Sequence, residues 1–286
     1  TVMAELSRIR THLYDLALLG VFLGHTTAFM WGFALMDLYA EVFAKITGAR
    51  TTIAYPVAGG VRRDFKTEHV AMVRRLLEVT RRKLKDFKTL FLDNPVTKAR
   101  LEGVGVLDAK AVAELGVVGP FARASGIDYD VRRAHPYDAY GEVDFEVVTE
   151  KAGDAWARTL VRWREIYESM HIVEQLLKQL PDGDVIDEAL LFKNPEYRRE
   201  GIGGVLGVYT YMYPEPGEYL ALVEATRGAT LLHLWTTGTQ RVYRMRFVTP
   251  SWRNLRAMIE AMKGHRLADT PAIYMSFGYF PPEADR

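Results

Sequence analysis

The sequence predicts an α+β fold in which a bundle of long helices carries a small antiparallel sheet. Four segments place apolar residues at helical spacing over many turns. Three short segments near the carboxyl end are rich in β-branched and aromatic residues and read as strands. With 286 residues, 49% hydrophobic and 26% charged, the chain has the composition of a globular protein.

The first two predicted helices form a hairpin. They span residues 2–23 and 29–47, and the second ends at Gly48, which suits a left-handed cap. The uncharged run from Leu16 to Met36 is long enough to cross a bilayer. A turn between two buried helices is favoured, because Gly24 to Thr27 interrupt the run midway. The remaining predicted helices cover 65–91, 108–115, 151–179 and 251–262, the last with Ser251 as N-cap.

The predicted strands lie in two regions. Thr51 to Val57 is rich in β-forming residues and runs into a pair of glycines. Residues 219–225, 231–236 and 242–248 predict the small antiparallel sheet. Between the helices, residues 119–140 read as a loop that is dense in arginine, aspartate and tyrosine.

Charge and composition exclude several classes of function. Lysine plus arginine total 37 against 36 acidic residues, so no global charge recruits nucleic acid. The cations that collect on helix 65–91 form either a solvated face or a docking face for an acidic partner. The absence of cysteine excludes thiolate-held iron–sulfur clusters and a thiolate-bound nickel site. Gly201 to Gly207 fails the G-x-G-x-x-G spacing, so NAD binding by this chain is not expected.

Four stretches, in one order over nearly the whole chain, resemble a known family. The first runs from Glu5 to Leu13 and matches E-L-x-R-I-x-x-H-L. The second joins T-G-x-R at Thr47 to G-G-V-R-R-D at Gly59. The third, R-A-S-G from Arg123, continues through D-x-R to P-Y-x-x-Y at Tyr140. The fourth begins as E-A-T-R-G at Glu224 and ends in P-S-W-x-N-L. Together they resemble the large-subunit family shared by membrane-bound nickel–iron hydrogenases and the quinone-side core subunit of respiratory complex I (the 49 kDa-type D subunit of NADH-quinone oxidoreductase).

Departures from that family limit what the resemblance implies. The carboxy-terminal C-x-x-C pair of hydrogenases would fall near residues 279–282, where no cysteine exists, so a nickel–iron centre is excluded. The chain therefore resembles relatives of energy-converting hydrogenases that lack the nickel–iron cysteines. The family's amino-terminal region has no counterpart before Thr1. Phe22 stands where the family has an aspartate near the quinone cavity. We expect residues 1–286 to form one large-subunit-like domain without that amino-terminal region.

The resemblance implies a subunit of a membrane-associated respiratory oxidoreductase. It would bind no cofactor itself and would form a quinone-side cavity against an iron–sulfur small subunit, which carries the cluster. Other hydrophilic and membrane subunits would complete the assembly, peripheral to the cytoplasmic side of the cell membrane, and electron transfer would drive ion translocation. The alternative is a non-catalytic scaffold, a paralogue from a group 4 hydrogenase-type complex that has lost its nickel–iron site.

The candidate site residues follow from the matched motifs. Those considered for catalysis are His25, Asp130 and Arg227. Those considered for the quinone cavity or for coupling are Arg62, Arg63, Asp64, Arg123, Asp128, Arg132 and Tyr137. Buried charges in residues 119–140 would have to be paired, and both a structural ion-pair network and a proton-conducting chain fit that requirement. No histidine spacing indicates a metal site. An acceptor cavity would be open beside His25 and Arg227, whereas a scaffold could fill it with Phe22, Phe29 and Trp31.

Overall fold

The computed structural model describes residues 1–57, 60–185 and 214–285. The strands of each sheet are consecutive along the chain and separate from the runs of helices, as the predicted α+β class requires. The helices are α1 (Val2–Phe22), α2 (Thr26–Thr47), α3 (Thr67–Phe87), α4 (Pro95–Leu101), α5 (Ala109–Glu114), α6 (Pro120–Arg123), α7 (Val131–Ala134), α8 (Ala155–Leu176), α9 (Pro250–Met262), α10 (Thr270–Ser276) and α11 (Pro281–Ala284). The strands are β1 (Pro56–Val57), β2 (Gly60–Val61), β3 (Gly217–Ala225), β4 (Gly228–Thr236) and β5 (Val242–Val248). A π-helical turn (Lys88–Leu92) follows α3, and 3-10 turns occupy Tyr140–Glu142 and Leu267–Asp269.

The long helices α1, α2, α3 and α8 surround the main apolar core. Leu13, Phe43, Leu77 and Ile166, one from each helix, are buried in the same cluster. The α1–α2 hairpin is especially tight, because a Cβ on Gly32 would lie 2.6 Å from the Ala17 Cβ. The helix bundle predicted from apolar spacing is therefore confirmed.

The uncharged run from Leu16 to Met36 does not form one continuous helix. It belongs to α1 and α2, which are joined by a turn in which Gly24 has a φ of 81°. No helix within the described ranges is long and apolar enough to cross a membrane. The predicted turn between two helices is confirmed. The alternative, in which this run crosses a membrane as one helix, is wrong.

Several predicted boundaries differ from the structure. The strand predicted over 51–57 is reduced to Pro56–Val57, because Thr52 has a positive φ of 50° that breaks the extended backbone. Helix α2 starts three residues early, since the His25 side chain accepts a hydrogen bond from the Ala28 N–H. Helix α9 starts at Pro250, a favoured first position, so Thr249 and not Ser251 is the N-cap. The glycine-rich segment 201–207 lies outside the described residues.

The three-stranded sheet is antiparallel in the order β3-β4-β5, as predicted. Gly228 pairs with Ala225 at the tight β3–β4 turn, which places Glu224 and Arg227 at the same end of the sheet. Glu224 is buried at that end, whereas most of β5 is exposed. The sheet thus places Glu224 and Arg227 against the helix bundle.

Candidate functional site

Helix α1 carries a buried polar stripe. Glu5, Arg8, His12 and Asp15 follow one another at intervals of three, four and three residues, which places them on one helical face. Each is at most 2% exposed, although α1 as a whole is apolar. Such a stripe requires polar partners from the elements packed against it, because an unpaired buried charge lowers stability by about 3–5 kcal/mol.

Helix α8 supplies a matching stripe. Arg158, Arg162, Glu165 and Ser169 are spaced by four, three and four residues and are at most 2% exposed. His12 Nε2 lies 2.8 Å from Glu165 Oε2, and Arg162 Nε lies 3.7 Å from Asp15 Oδ2. Residue numbers rise along one helix as they fall along the other, so the two helices are antiparallel.

Arg123 stands at the centre of the charges that meet this helix pair. Its Nε donates to Glu165 Oε1 at 2.9 Å, and its Nη1 donates to Glu224 Oε1 at 2.9 Å. Asp130 Oδ2 lies 3.4 Å from the same Nη1 atom. One fully buried guanidinium therefore joins α6, α8, β3 and the loop before α7.

Arg132 and Arg8 extend these contacts towards the start of α1. Arg132 binds Asp130 through two hydrogen bonds, of 3.0 Å from Nε and 2.7 Å from Nη2, and donates to Glu5 at 3.1 Å. Arg8 donates to Glu5 at 3.2 Å and to the Glu224 carbonyl at 2.7 Å. The Tyr140 hydroxyl donates to Glu5 at 2.5 Å. We call the following residues the buried charge network: Glu5, Arg8, His12, Arg123, Asp130, Arg132, Tyr140, Glu165 and Glu224.

The arginines of this network set the charge of its carboxylates. Burial alone would raise the pKa of Glu5, but Arg8 and Arg132 lower it to about 2. Burial opposes ionisation of Glu165 as well, and Arg123 and His12 hold its pKa well below the usual range. Burial and the nearby Asp130 charge raise the pKa of Glu224. The network thus holds three arginines and four carboxylates, of which Glu224 is the group that most readily keeps a proton.

Acid pH is expected to destabilise the chain in two stages. Burial lowers the pKa of His12, so stability present above its ordinary value of 6.5 is lost as the unfolded state gains a proton below that pH. The lowered pKa of Glu5 gives stability above pH 4.5 that is lost between 4.5 and about 2. That loss amounts to about 3 kcal/mol. Urea unfolding at a series of pH values across this range measures the loss. If the free energy of unfolding falls as steeply with pH in Glu5→Gln as in wild type, the assignment is contradicted.

A second group of charges surrounds a cavity of about 200 Å³. Arg227 donates from Nη2 to Asp15 Oδ1 at 2.7 Å and from Nε to the Gly278 carbonyl at 2.6 Å. The guanidinium also lies over the Phe280 ring, 5.4 Å from its centroid. We call this cavity the Arg227 pocket, and its lining residues are Tyr14, Asp15, Leu18, Phe22, Arg227, Tyr274, Met275, Gly278, Tyr279, Phe280 and Pro281.

The structure unites some of the predicted site residues. Arg123, Asp130 and Arg132 belong to the buried charge network, and the Tyr137 hydroxyl accepts from the Glu224 N–H at 3.1 Å. Arg227 instead lies in the Arg227 pocket, where it forms an ion pair with Asp15. Asp15 lines the Arg227 pocket and lies next to the buried charge network, since it shares the polar face of α1 with His12.

Other predicted residues lie apart from both regions. Arg62, Arg63 and Asp64 are exposed after β2, and Asp128 is also exposed. His25 caps α2 and packs against Phe91, at 6.0 Å between ring centroids, so it does not line the Arg227 pocket. No group of three or more histidine and carboxylate side chains in the described part of the chain is placed to hold a metal ion.

The aromatic residues expected to fill a vestigial cavity have separate positions. Phe22 lines the Arg227 pocket and faces Tyr274 at 6.0 Å. Phe29 packs on Phe33 at 4.5 Å, whereas Trp31 lines an apolar groove between α2 and α3. The pocket therefore remains open beside Arg227, with Phe22 in its wall.

Sequence reasoning quoted Glu5, Arg8 and His12 of α1 within a motif but did not propose any α1 or α8 residue as a site residue. Asp15 and Arg162 are each flanked by apolar or aromatic residues. The signal that could have found them, together with Arg158 and Glu165, is a second, polar periodicity at three and four residues. Glu224 was noted only as part of a motif. Glu224 is buried because it lies next to the β3–β4 turn. The sequence predicts the position of that turn only approximately.

Comparisons with known proteins agree with this architecture. Residues 23–286 match the family model described as the 49 Kd subunit of respiratory-chain NADH dehydrogenase. The NADH-quinone oxidoreductase D 2 subunit of Thermodesulfovibrio yellowstonii is 33% identical over 300 residues, covering 100% of this chain and 74% of that protein. The NADH-quinone oxidoreductase C/D subunit of Phocaeicola vulgatus is 35% identical over 286 residues, which are 51% of its length.

A solved structure is similar over almost the entire chain. It belongs to the membrane-bound sulfane sulfur reductase, described as an archaeal respiratory membrane complex. The TM-score is 0.88 at 37% sequence identity, and the match covers 99% of this chain and 73% of that one. The similarity therefore extends to the helices and the sheet that together form the Arg227 pocket.

Proposed function

Because the chain belongs to the family of the 49 kDa subunit of respiratory-chain NADH dehydrogenase, we propose that it is the large core subunit of a membrane-associated, complex I-like respiratory oxidoreductase. In this role it forms one side of an electron-acceptor cavity, and an iron–sulfur small subunit that carries the cluster forms the other side. The remaining hydrophilic and membrane subunits hold it peripherally at the cytoplasmic side of the cell membrane.

The Arg227 pocket carries this proposal. It combines an aromatic wall with one partly exposed guanidinium, the combination expected of a site for a quinone headgroup. Arg227 can donate a hydrogen bond to an acceptor oxygen on which charge develops, and Asp15 and the Gly278 carbonyl orient its guanidinium. Tyr14, Tyr274 and Tyr279 add hydroxyl groups around the same cavity.

Coupling to ion translocation would use the polar faces of α1 and α8. A charge gained in the pocket acts first on Asp15 and Arg227, and Asp15 lies one helical turn from His12. From His12 the contacts run through Glu165 and Arg123 to Glu224. A change in one member shifts the proton affinity of the next, because these groups interact at hydrogen-bond distance in a buried setting.

A non-catalytic scaffold is the second candidate. It is favoured by Phe22, which brings an apolar ring to the pocket wall, and by the remote positions of His25 and the Arg62–Asp64 segment. In that case the buried charge network would serve only to fix the fold of the subunit.

Acceptor reduction by the intact complex distinguishes these functions. We expect the complex, purified in mild detergent, to reduce a water-soluble quinone analogue or a sulfane-sulfur compound. Arg227→Ala is expected to lower that rate by about 100-fold, as loss of a charge-stabilising donor does. The control Arg256→Ala removes an exposed cation of α9 and should leave the rate unchanged. An intact complex that reduces neither acceptor would support the scaffold.

Asp130→Asn tests the coupling role separately. The amide keeps the size of the side chain but removes the negative charge that faces Arg123 and Arg132. We expect electron transfer to persist while fewer ions are moved per electron in complex reconstituted into vesicles. Gel electrophoresis checks that the complex is fully assembled. An unaltered ratio of ions to electrons would remove the network from the coupling path.

A further inference from the structure

An apolar groove of about 250 Å³ lies between α2 and α3 and shares no lining residue with the Arg227 pocket. Leu35 and Phe87 form its floor and are at most 5% exposed. Trp31 and Leu38 form its α2 wall and are 47% and 36% exposed. We call it the α2–α3 groove, and its other lining residues are Ala34, Val79 and Lys83. Adjoining exposed apolar side chains of this kind mark a contact site for another molecule.

The shape of the α2–α3 groove fits a helix. Trp31 and Leu38 are seven residues apart on α2, and Val79 and Phe87 are eight apart on α3, so the groove is about 10–12 Å long. Two turns of an α-helix have that length, about 11 Å. A helix with apolar residues at i, i+3 or i+4, and i+7 places these side chains in such a groove. A flat lipid surface would contact Trp31 and Leu38 but would leave the buried floor uncovered.

The α3 rim of the groove is basic. Helix α3 carries six arginines and lysines against three acidic residues. Lys83 lines the groove and lies 3.8 Å from Asp86. Arg75 and Arg82 lie beside it, because they are four residues before and three residues after Val79. Both arginines are exposed, and neither pairs with a carboxylate of the described residues. Unpaired cations beside an apolar contact surface favour an occupant with carboxylates at the matching edge.

We propose that the α2–α3 groove is the docking site for an acidic amphipathic helix of a partner subunit. The apolar face of that helix covers Trp31 and Leu38. Its aspartates and glutamates lie on the α3 side, opposite Arg75 and Arg82. That a partner subunit exists rests on the proposed function, whereas the contact in the groove is measured without turnover.

Photocrosslinking in the intact purified complex tests this contact. The photoreactive amino acid p-benzoylphenylalanine replaces Trp31, which it resembles in size and aromatic character. The same amino acid at Val96 of α4, a position outside the groove that is 67% exposed, is the control. Mass spectrometry of the cross-linked peptides identifies the occupant. We expect the probe at position 31 to join a segment of another subunit that has apolar residues at helical spacing and more acidic than basic residues.

Reversing the charge of the α3 rim tests the electrostatic part of the proposal. Arg75→Glu combined with Arg82→Glu leaves the apolar lining intact, and we expect it to lower the cross-link yield at position 31 about fivefold or more. Arg256→Glu reverses an exposed cation of α9 and should leave the yield unchanged. Native gel electrophoresis checks assembly. Raising the salt concentration should lower the yield in the same direction, which tests the charge without any substitution in the rim.

Other occupants of the groove would overturn the proposal. A phospholipid adduct at position 31 would mean that the groove faces the membrane, and a cross-link to a second copy of this chain would mean self-association. The proposal also fails if the probe at position 31 cross-links no better than the probe at position 96, or joins a segment without an acidic excess. It fails as well if neither salt nor charge reversal changes the yield. None of these outcomes depends on acceptor reduction, so the docking site and the proposed function can fail separately.

Discussion

Replacing Arg123 by methionine is expected to lower the free energy of unfolding by about 3–5 kcal/mol. The substitution keeps much of the side-chain volume but leaves Glu165, Asp130 and Glu224 without their shared cation. These carboxylates are at most 4% exposed, so water cannot replace the lost contacts. Urea denaturation of the purified chain, followed by tryptophan fluorescence, measures the loss.

The matched control is Arg133→Met, on the exposed side of α7. Arg133 lies 3.6 Å from Asp144, and both side chains are more than half exposed. Exposed ion pairs of this kind contribute about 0–1 kcal/mol. Equal losses from the two substitutions would show that the buried charge network does not stabilise the fold.

Gly119→Ala is the second substitution for which we expect a large effect. Gly119 has a φ of 75°, and a Cβ there would lie 2.4 Å from the Arg227 carbonyl oxygen and 2.5 Å from the Gly228 Cα. The neighbouring atoms are backbone, so the β3–β4 turn that carries Arg227 would have to move. We expect a loss of stability of about 4 kcal/mol or more, at the upper end of single substitutions. Acceptor reduction should also fall, because Arg227 is displaced.

Gly103→Ala is the comparison without a collision, and Gly119, with a ψ of −151°, has in addition a backbone conformation essentially restricted to glycine. Gly103 has nearly the same φ, 72°, but a Cβ there would meet nothing within 4 Å. A left-handed alanine costs about 1–2 kcal/mol. Thermal unfolding of both variants gives the comparison, and a similar cost at the two glycines would mean that the close approach of Gly119 to the turn is unimportant.

The sequence predicts the elements of this fold better than their contacts. Apolar spacing identifies α1, α2, α3 and α8 because each buries a continuous apolar face. The strand over 51–57 fails because β propensity does not register the left-handed backbone at Thr52. Likewise, local propensity cannot distinguish Thr249 from Ser251 as the N-cap of α9, since both are good capping residues.

The candidate site was predictable only in part. The arginines and aspartates of residues 119–140 could be recognised as charges that need partners, and Arg123, Asp130 and Arg132 are paired as that argument requires. Their partners could not be predicted. Glu5, Glu165 and Glu224 lie 127, 42 and 101 residues away from the arginines they bind, and only the packing of α1, α8 and β3 brings them together. Tertiary contacts of this range leave no local signal.

The paired polar stripes of α1 and α8 make these two helices inseparable in any exchange between homologous proteins. A chimaera that takes α1 alone from a relative with a different residue at position 15 would set a foreign side chain against Asp15's partner Arg162. Every mismatch would bury an unpaired charge. A chimaera that takes α1 and α8 together would transfer both halves of each pair. For such grafts, the two helices should be exchanged together.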